Sequence, residues 1–203
     1  MDYSQYKEQD FLLTFFKDVK NGFVVDIGAA DGVKNSNSKK LIELGWSGLL
    51  VEPNFKNFKK LENLYLNNKK IFLESFGCSD ESLNEIDFFI DKNDEFEQLS
   101  TFSSEQVEKC KKIYNCDFSV DKVRTIKTSE LFEKYNLKKI DFITIDTESF
   151  DTKVVIGIDF TKVDIDLICV EHESSELNNK LFNNGFEICH RTLGNVFFKK
   201  KKQ

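Results

Sequence analysis

The stretch VVDIGAADG, Val24 to Gly32, ends a run of β-formers in an aspartate and two glycines. A strand that only closed a core would have no use for that ending. Gly28 and Gly32 let the backbone approach a ligand and turn into the next element. Their spacing is G-x-x-x-G, not the G-x-G-x-x-G of a dinucleotide site, so no pyrophosphate cradle is indicated. Glu52 ends a second such run, SGLLV, where its carboxylate can accept hydrogen bonds from two ribose hydroxyls. A nucleoside lacking a pyrophosphate suits S-adenosylmethionine, with Asp26 or Asp31 facing its cationic amino-acid end.

Further acids gather at later strand ends. Asp146, Glu148 and Asp151 lie within six residues after IDFITI. They are placed to take a substrate proton, hold a divalent cation or cap the following helix. A divalent metal is possible there but not favoured, and no residue is assigned as a metal ligand. His172, between Glu171 and Glu173, is a candidate base near neutrality. Cys78 follows the third run of β-formers, on the side where an adenine would lie. His190 and Arg191 begin a final hairpin loop, where a solvated turn is the plainer reading. Trp46 reads as helix–strand packing.

These residues need elements to position them. Phe11, Leu12, Phe15, Phe16 and Val19 predict an amphipathic helix over 6–20, ended by Asn21-Gly22. Strands FVVDI, SGLLVEP and KKIFLESFG alternate with helices SNSKKLIELG and NFKNFKKLENLYLNN, the first capped by Ser36 or Ser38. NEIDFFI is a candidate added strand, SSEQVEKCKKIY a helix, and KTSELFEKYNL a helix capped at Thr128 or Ser129. IDFITID and VDIDLICVEHE are strands, SELNNKLFNNG a helix, and FEICH and NVFFK two last strands joined by a short loop. The alternation predicts a single α/β domain over 1–203: a mostly parallel sheet, helices on both faces, and a C-terminal antiparallel hairpin. Ligands of such sheets bind beyond the strands' carboxyl ends, which is where the acids and glycines fall.

Composition narrows the function. A formal net charge of −6 argues against non-specific nucleic-acid binding, and the short basic run from Lys199 reads as a solvated terminus. No apolar run reaches the ~18 residues of a membrane span, so no membrane insertion is expected. Five cysteines without a C-x-x-C pair suit reduced thiols. MDYSQYKEQD lacks the apolar core of a signal peptide, and a cytoplasmic location is expected.

Six stretches resemble, in order, those of the FkbM-type methyltransferases, which depend on S-adenosylmethionine and have a seven-stranded class I fold. They are SQYKEQDFLLTFF, GFVVDIGAADGVKNSNS, LGWSGLLVEPN, KKIDFITIDTESFDTKVVIGIDF, ICVEHE and NGFEICHRTLGNVFF. The resemblance places Glu52 on the ribose-binding acid, adds Ser36 and Asn37 to the nucleoside loop, and makes Ser4, Gln5 and Asp10 candidates to cover the cofactor. With it the expected cofactor contacts are Gln5, Asp26, Gly28, Ala29, Asp31, Gly32, Ser36, Asn37, Glu52, Pro53, Cys78, Ser79 and Asp146. The candidate bases are Asp146, Glu148 and His172.

The family's usual glycine after Glu148 is Ser149 here, and its following acid is Asp151. The implied reaction is methyl transfer to an oxygen of a small polar acceptor, such as a sugar hydroxyl or a nucleotide-linked glycan or natural-product precursor. Phosphate-type or amidate oxygens, and a non-catalytic nucleoside-binding module on the same fold, are the alternatives. A nucleotide-dependent oxidoreductase is disfavoured by the missing third glycine. Segment 91–123, which the resemblance leaves uncovered, is expected to fold over the acceptor. An oligomer is compatible with the sequence.

Overall fold

The computed structural model describes residues 1–92 and 98–201. In chain order the strands of the main sheet are β1 (Phe23–Ile27), β2 (Ser47–Val51), β3 (Ile71–Glu74), β7 (Lys139–Ile145), β8 (Asp164–Val170), β9 (Phe186–Arg191) and β10 (Val196–Lys200). A second sheet contains β4 (Gly77–Ser79), β5 (Leu83–Asp91) and β6 (Phe118–Lys127). The helices are α1 (Glu8–Phe15), α2 (Lys39–Glu43), α3 (Phe55–Tyr65), α4 (Ser104–Tyr114), α5 (Thr128–Lys134), α6 (Asp151–Ile156) and α7 (Ser175–Asn183).

The main sheet has seven strands in the order β3-β2-β1-β7-β8-β10-β9. The first five are parallel, and β10 runs antiparallel between β8 and β9. Alternation along β1 sends Val24 to one face and Val25 and Ile27 to the other. On Val24's face lie Leu12 and Phe16 near α1, Leu41 and Ile42 of α2, and Leu61 and Tyr65 of α3. The opposite face packs Leu131 of α5, Val154 and Val155 of α6, and Leu177 and Leu181 of α7. Burying both faces explains why the central strands are nearly continuous runs of Val, Ile and Leu.

Register decides where the site forms. Ile27 pairs with both Val51 and Ile145, and Ile145 pairs with Val170. Four parallel strands therefore end level, and their successors Glu52, Gly28, Asp146 and Glu171 stand in a row across the sheet.

Some boundaries differ from expectation. The helix expected over 6–20 spans Glu8–Phe15, because the chain leaves it through a turn closed by Val19 N–H to the Phe16 carbonyl. KKIFLESFG divides into β3 and β4, the latter pairing with β6 in the second sheet. Ser38 occupies the N-cap position of α2 without capping it. Its hydroxyl donates to Asp26, and Ser36 Oγ accepts the Lys39 N–H instead. Thr128 opens α5 but is drawn into the core, where its hydroxyl donates to the carbonyls of Val154 and Ser79. Trp46 is buried against Phe16, with ring centroids 4.9 Å apart, as packing requires.

Segment 91–123 supplies α4 and half of β6, which pairs antiparallel with β5; residues 93–97 of it lie outside the described residues. No helix among the described residues is long and apolar enough to cross a membrane.

Glu8 ties the N-terminal segment to the last hairpin. It is fully buried and accepts from Tyr6 N–H (2.7 Å), the Thr192 hydroxyl (2.6 Å) and Asn195 Nδ2 (3.0 Å). Glu8→Ala strands those donors, so a loss of about 2–4 kcal/mol is expected. In a thermal melt that corresponds to a fall of roughly 5–15 °C. Limited proteolysis should also cut within residues 1–7 faster than in the wild type.

Candidate active site

The row of strand ends is built around a close approach. Gly28, at φ 88°, passes directly over the Asp146 carbonyl, and a Cβ there would lie 1.8 Å from that oxygen. Gly28 and Ala29 donate their N–H groups to the Val51 carbonyl at 2.9 and 3.1 Å. Ala30, itself at φ 46°, donates to Glu52 Oε2 at 2.8 Å, while Asn54 N–H donates to Oε1 at 2.7 Å. Glu52 thus fastens the glycine loop to the start of α3, a structural duty not legible in its position alone. A carboxylate has about four lone-pair sites, so both oxygens retain capacity for a ligand.

Burial pushes Glu52 up to about 7 despite those two backbone donors. It does the same to Asp26, against the lowering effect of the Ser38 hydroxyl.

A cavity of about 410 Å³ opens over this row, within the range of small-molecule sites. Gln5, Asp26, Gly28, Ala29, Ser36, Asn37, Glu52, Pro53, Cys78, Asp146, Glu148 and His172 all line it. Asp31, Gly32 and Ser79 do not. Asp31 turns back to accept the N–H groups of Val33 and Lys34. Gly32, at φ 73°, makes the turn beneath the loop, close against Leu61 and Tyr65. The Ser79 hydroxyl donates to Asp80.

Outside the pocket, the ring of His190 stacks on Phe11 at 4.2 Å and Arg191 pairs with Glu173, so neither faces an acceptor. Burial pushes the Cys78 thiol well up, which suits an apolar lining group rather than a nucleophile.

Beside the glycine loop stands a carboxylate cluster. Asp146, Glu148 and Glu171 each offer an oxygen, all within 4.8 Å of one another, and His172 Nδ1 lies 2.8 Å from Glu171 Oε2. Burial first, then the neighbouring carboxylates, pushes Glu148 and Glu171 far above the usual range, and Asp146 is also raised by burial. The cluster can therefore share and pass a proton, and its geometry would also accept a cation. Asp151 is fully buried and plays a structural part: it accepts from the Thr147 hydroxyl and from Glu171 N–H, holding the two strand-end loops together.

Glu148 (φ 51°) and Ser149 (φ 73°) are consecutive left-handed residues, a conformation that costs on the order of 1 kcal/mol or more each. The second sheet's segment holds them there. Thr101 Oγ1 donates to the Glu148 carbonyl (2.7 Å), Gln106 Nε2 to Glu148 Oε2 (3.3 Å), and Ser149 Oγ to Gln106 Oε1 (3.2 Å). Ser149 so keeps the backbone a glycine would adopt and adds a side-chain bond to α4. Phe88, Phe102, Gln106, Lys109 and Tyr114 form this wall of the cavity. Sequence reasoning placed segment 91–123 over the acceptor but named none of these residues, because no periodicity there or in β5 says which side chains face the cavity. Glu171 falls just after β8 by the same strand-end rule that located Glu52 and Asp146, though no site role was assigned to it.

The seven-stranded sheet, with its order β3-β2-β1-β7-β8-β10-β9, is the class I methyltransferase fold. Residues 26–188 match the model of the methyltransferase FkbM domain; the chain belongs to this family, whose members use S-adenosylmethionine. Among solved structures, it is similar to a candidate methyltransferase of Escherichia coli, yhhF. That likeness has 10% identity and a TM-score of 0.52 over 100% of this chain and 90% of that one. A candidate tRNA methyltransferase of Streptococcus pneumoniae is similar at 11% identity and a TM-score of 0.51, over 98% and 72% of the two chains. No curated protein matches the sequence. The residues present fit the cofactor: the cavity runs over the Gly28 loop beside Glu52, whose carboxylate oxygens retain lone pairs able to accept ribose hydroxyls.

Gly28→Ala should cost several kcal/mol and abolish S-adenosylhomocysteine binding in calorimetry, because its Cβ meets a strand-end carbonyl. Gly45→Ala, at φ 98° with nothing within 4 Å of the added Cβ, should cost only about 1 kcal/mol.

The buried acids set a pH dependence. Asp26 and Glu52 bind protons more tightly folded than unfolded, so their contribution is fully present below their ordinary values of 3.8 and 4.5 and is lost as pH rises to about 7. The melting temperature of the ligand-free protein should fall between pH 5 and pH 8, and Glu52→Gln should shrink that fall.

Proposed function

We propose that this methyltransferase transfers a methyl group to a hydroxyl oxygen of a small polar acceptor, a sugar or sugar-like precursor of a glycan or natural product. The observation that carries this reading is the Asp146–Glu148–Glu171 cluster with His172, at the strand ends beside the glycine loop. An alcohol must lose its proton as it attacks, and a base within reach contributes typically 10²–10⁴-fold. Charge supports the choice of acceptor: acids outnumber Lys34 and Lys109 along the cavity, which disfavours a phosphate-bearing one.

S-adenosylmethionine, when bound, supplies an electrophilic methyl on a sulfonium. Glu52 accepts its ribose hydroxyls, and Gly28 and Ala29 allow it to lie close over β1. Pro53 and Cys78 form the apolar side of its base pocket. Asp26, with Ser38 donating to it, presents negative charge to the cationic end, and Gln5 covers that end from the N-terminal segment. Glu148 or His172 takes the acceptor proton, with Asp146 tuning the cluster. Thr101 and Gln106 fix Glu148, and the wall from Phe88 to Tyr114 keeps bulk water from the reacting oxygen. The net charge of −6 supports a small-molecule acceptor over nucleic acid, and a cytoplasmic site of action belongs to the same proposal.

Calorimetry with S-adenosylhomocysteine tests the cofactor half. Glu52→Ala should weaken binding about tenfold or more, ~1.4 kcal/mol. Release of S-adenosylhomocysteine during turnover with neutral glycosides, amino sugars and sugar phosphates tests the acceptor half. With a productive acceptor, Glu148→Gln should lower kcat by 10²–10⁴-fold while leaving S-adenosylhomocysteine affinity within about twofold. Turnover confined to sugar phosphates, or an undiminished Glu148→Gln enzyme, would remove this reading.

A further inference from the structure

The wall that β5, residues 98–102 and α4 give the cavity carries a cation that the fold itself leaves unused. Lys109 lines the cavity from α4 and is exposed. It has no ion-pair or hydrogen-bond partner among the described residues. The acids of its own helix do not neutralise it. Glu108 pairs with Lys111 at 3.7 Å, and Glu105, one turn before Lys109, makes no ion pair among the described residues.

The charge of Lys109 is felt at the acid cluster. Burial and the neighbouring carboxylates raise the proton affinity of Glu171, and the Lys109 ammonium opposes that rise. Yet Lys109 forms no ion pair with Asp146, Glu148 or Glu171, so its donors stay available to a ligand that also reaches the cluster.

Around Lys109 the wall is aromatic. Phe88 and Phe102 pack with ring centroids 4.6 Å apart. Tyr114 lines the cavity although it is 66% exposed, so its ring stands at the mouth. Such a surface takes a compact ligand with an apolar face and polar edges. A neutral glycoside would use the rings and leave the ammonium to water. A phosphate monoester carries about −1.5 to −2 charge near pH 7, more than one lysine balances beside the acids of the same cavity. A carboxylate carries a single charge, which one ammonium matches.

We propose that the acceptor is a sugar carboxylate of the uronic-acid class, and that Lys109 selects it by pairing with the carboxylate. The inference rests on the sugar-hydroxyl reading given above. In the transfer the acceptor's hydroxyl oxygen bonds to the methyl carbon as the methyl–sulfur bond breaks. The hydroxyl proton passes to Glu148 or His172, and the carboxylate serves only to hold the sugar.

Release of S-adenosylhomocysteine from S-adenosylmethionine is followed with methyl glycosides offered in pairs: glucoside and glucuronide, galactoside and galacturonide. Within a productive pair the uronate should show a kcat/KM roughly tenfold or more above its neutral partner, carried by KM. Lys109→Met should bring that ratio close to one, again through KM, and Lys109→Arg should keep it. The ratio compares two substrates of one preparation, so a loss of folded protein does not move it. A neutral glycoside used as well as its uronate, or a Lys109→Met enzyme that keeps the preference, overturns the inference and leaves the sugar-hydroxyl reading in place. Turnover of no glycoside of either kind, by a folded protein that binds S-adenosylhomocysteine, removes that reading and this inference together.

Discussion

The approach of Gly28 to the Asp146 carbonyl is the constraint from which the site follows. Two adjacent parallel strands end level, and their continuing chains must leave without colliding. Only a residue without a Cβ fits over that carbonyl, and a positive φ carries the chain away from it. The loop so formed needs an external anchor, because a chain in an unusual conformation makes few regular hydrogen bonds. Glu52 and the Val51 carbonyl provide that anchor from the neighbouring strand. The carboxylate that anchors the loop also lines the cavity, so loop architecture and cavity wall cannot be altered separately at this position.

That economy has an electrostatic consequence. Glu52, Asp26, Asp146, Glu148 and Glu171 line one cavity, and burial raises the proton affinity of each. Acids concentrated this way oppose one another in the empty fold and welcome positive charge. A sulfonium cofactor with a cationic amino-acid end suits such a pocket better than an anionic dinucleotide does. The same field raises the proton affinity of the cluster next to His172.

The second sheet gives the site its other half. A class I core holds a cofactor on its strand ends but leaves the space above β7 open. Here β5, residues 98–102 and α4 wall the cavity, and Thr101 and Gln106 bond directly to the left-handed Glu148–Ser149 corner. The strain of two adjacent positive-φ residues persists because three bonds from another layer hold them. The cavity wall and the position of Glu148 are thereby coupled through one segment.

The local pattern by itself determined much of this. Periodicity and breaker residues disclosed the strands and most of the helices, and alternation of the two disclosed the parallel sheet, because both-face burial demands continuous apolar strands. Glycines and acids placed after strands pointed to Asp26, Gly28, Glu52 and Asp146, all of which line the cavity. Tertiary structure decided what depends on contacts between distant segments. Asp31 and Ser79 satisfy themselves locally; Thr128 turns into the core instead of capping α5; Gln106 reaches Glu148 across 42 residues of chain. The Asn37 amide nitrogen meets Thr144 and Cys169, 107 and 132 residues away along the chain. Periodicity records which face of an element is buried. It holds no record of which distant donor meets which acceptor, because that follows only when the sheet brings the segments together.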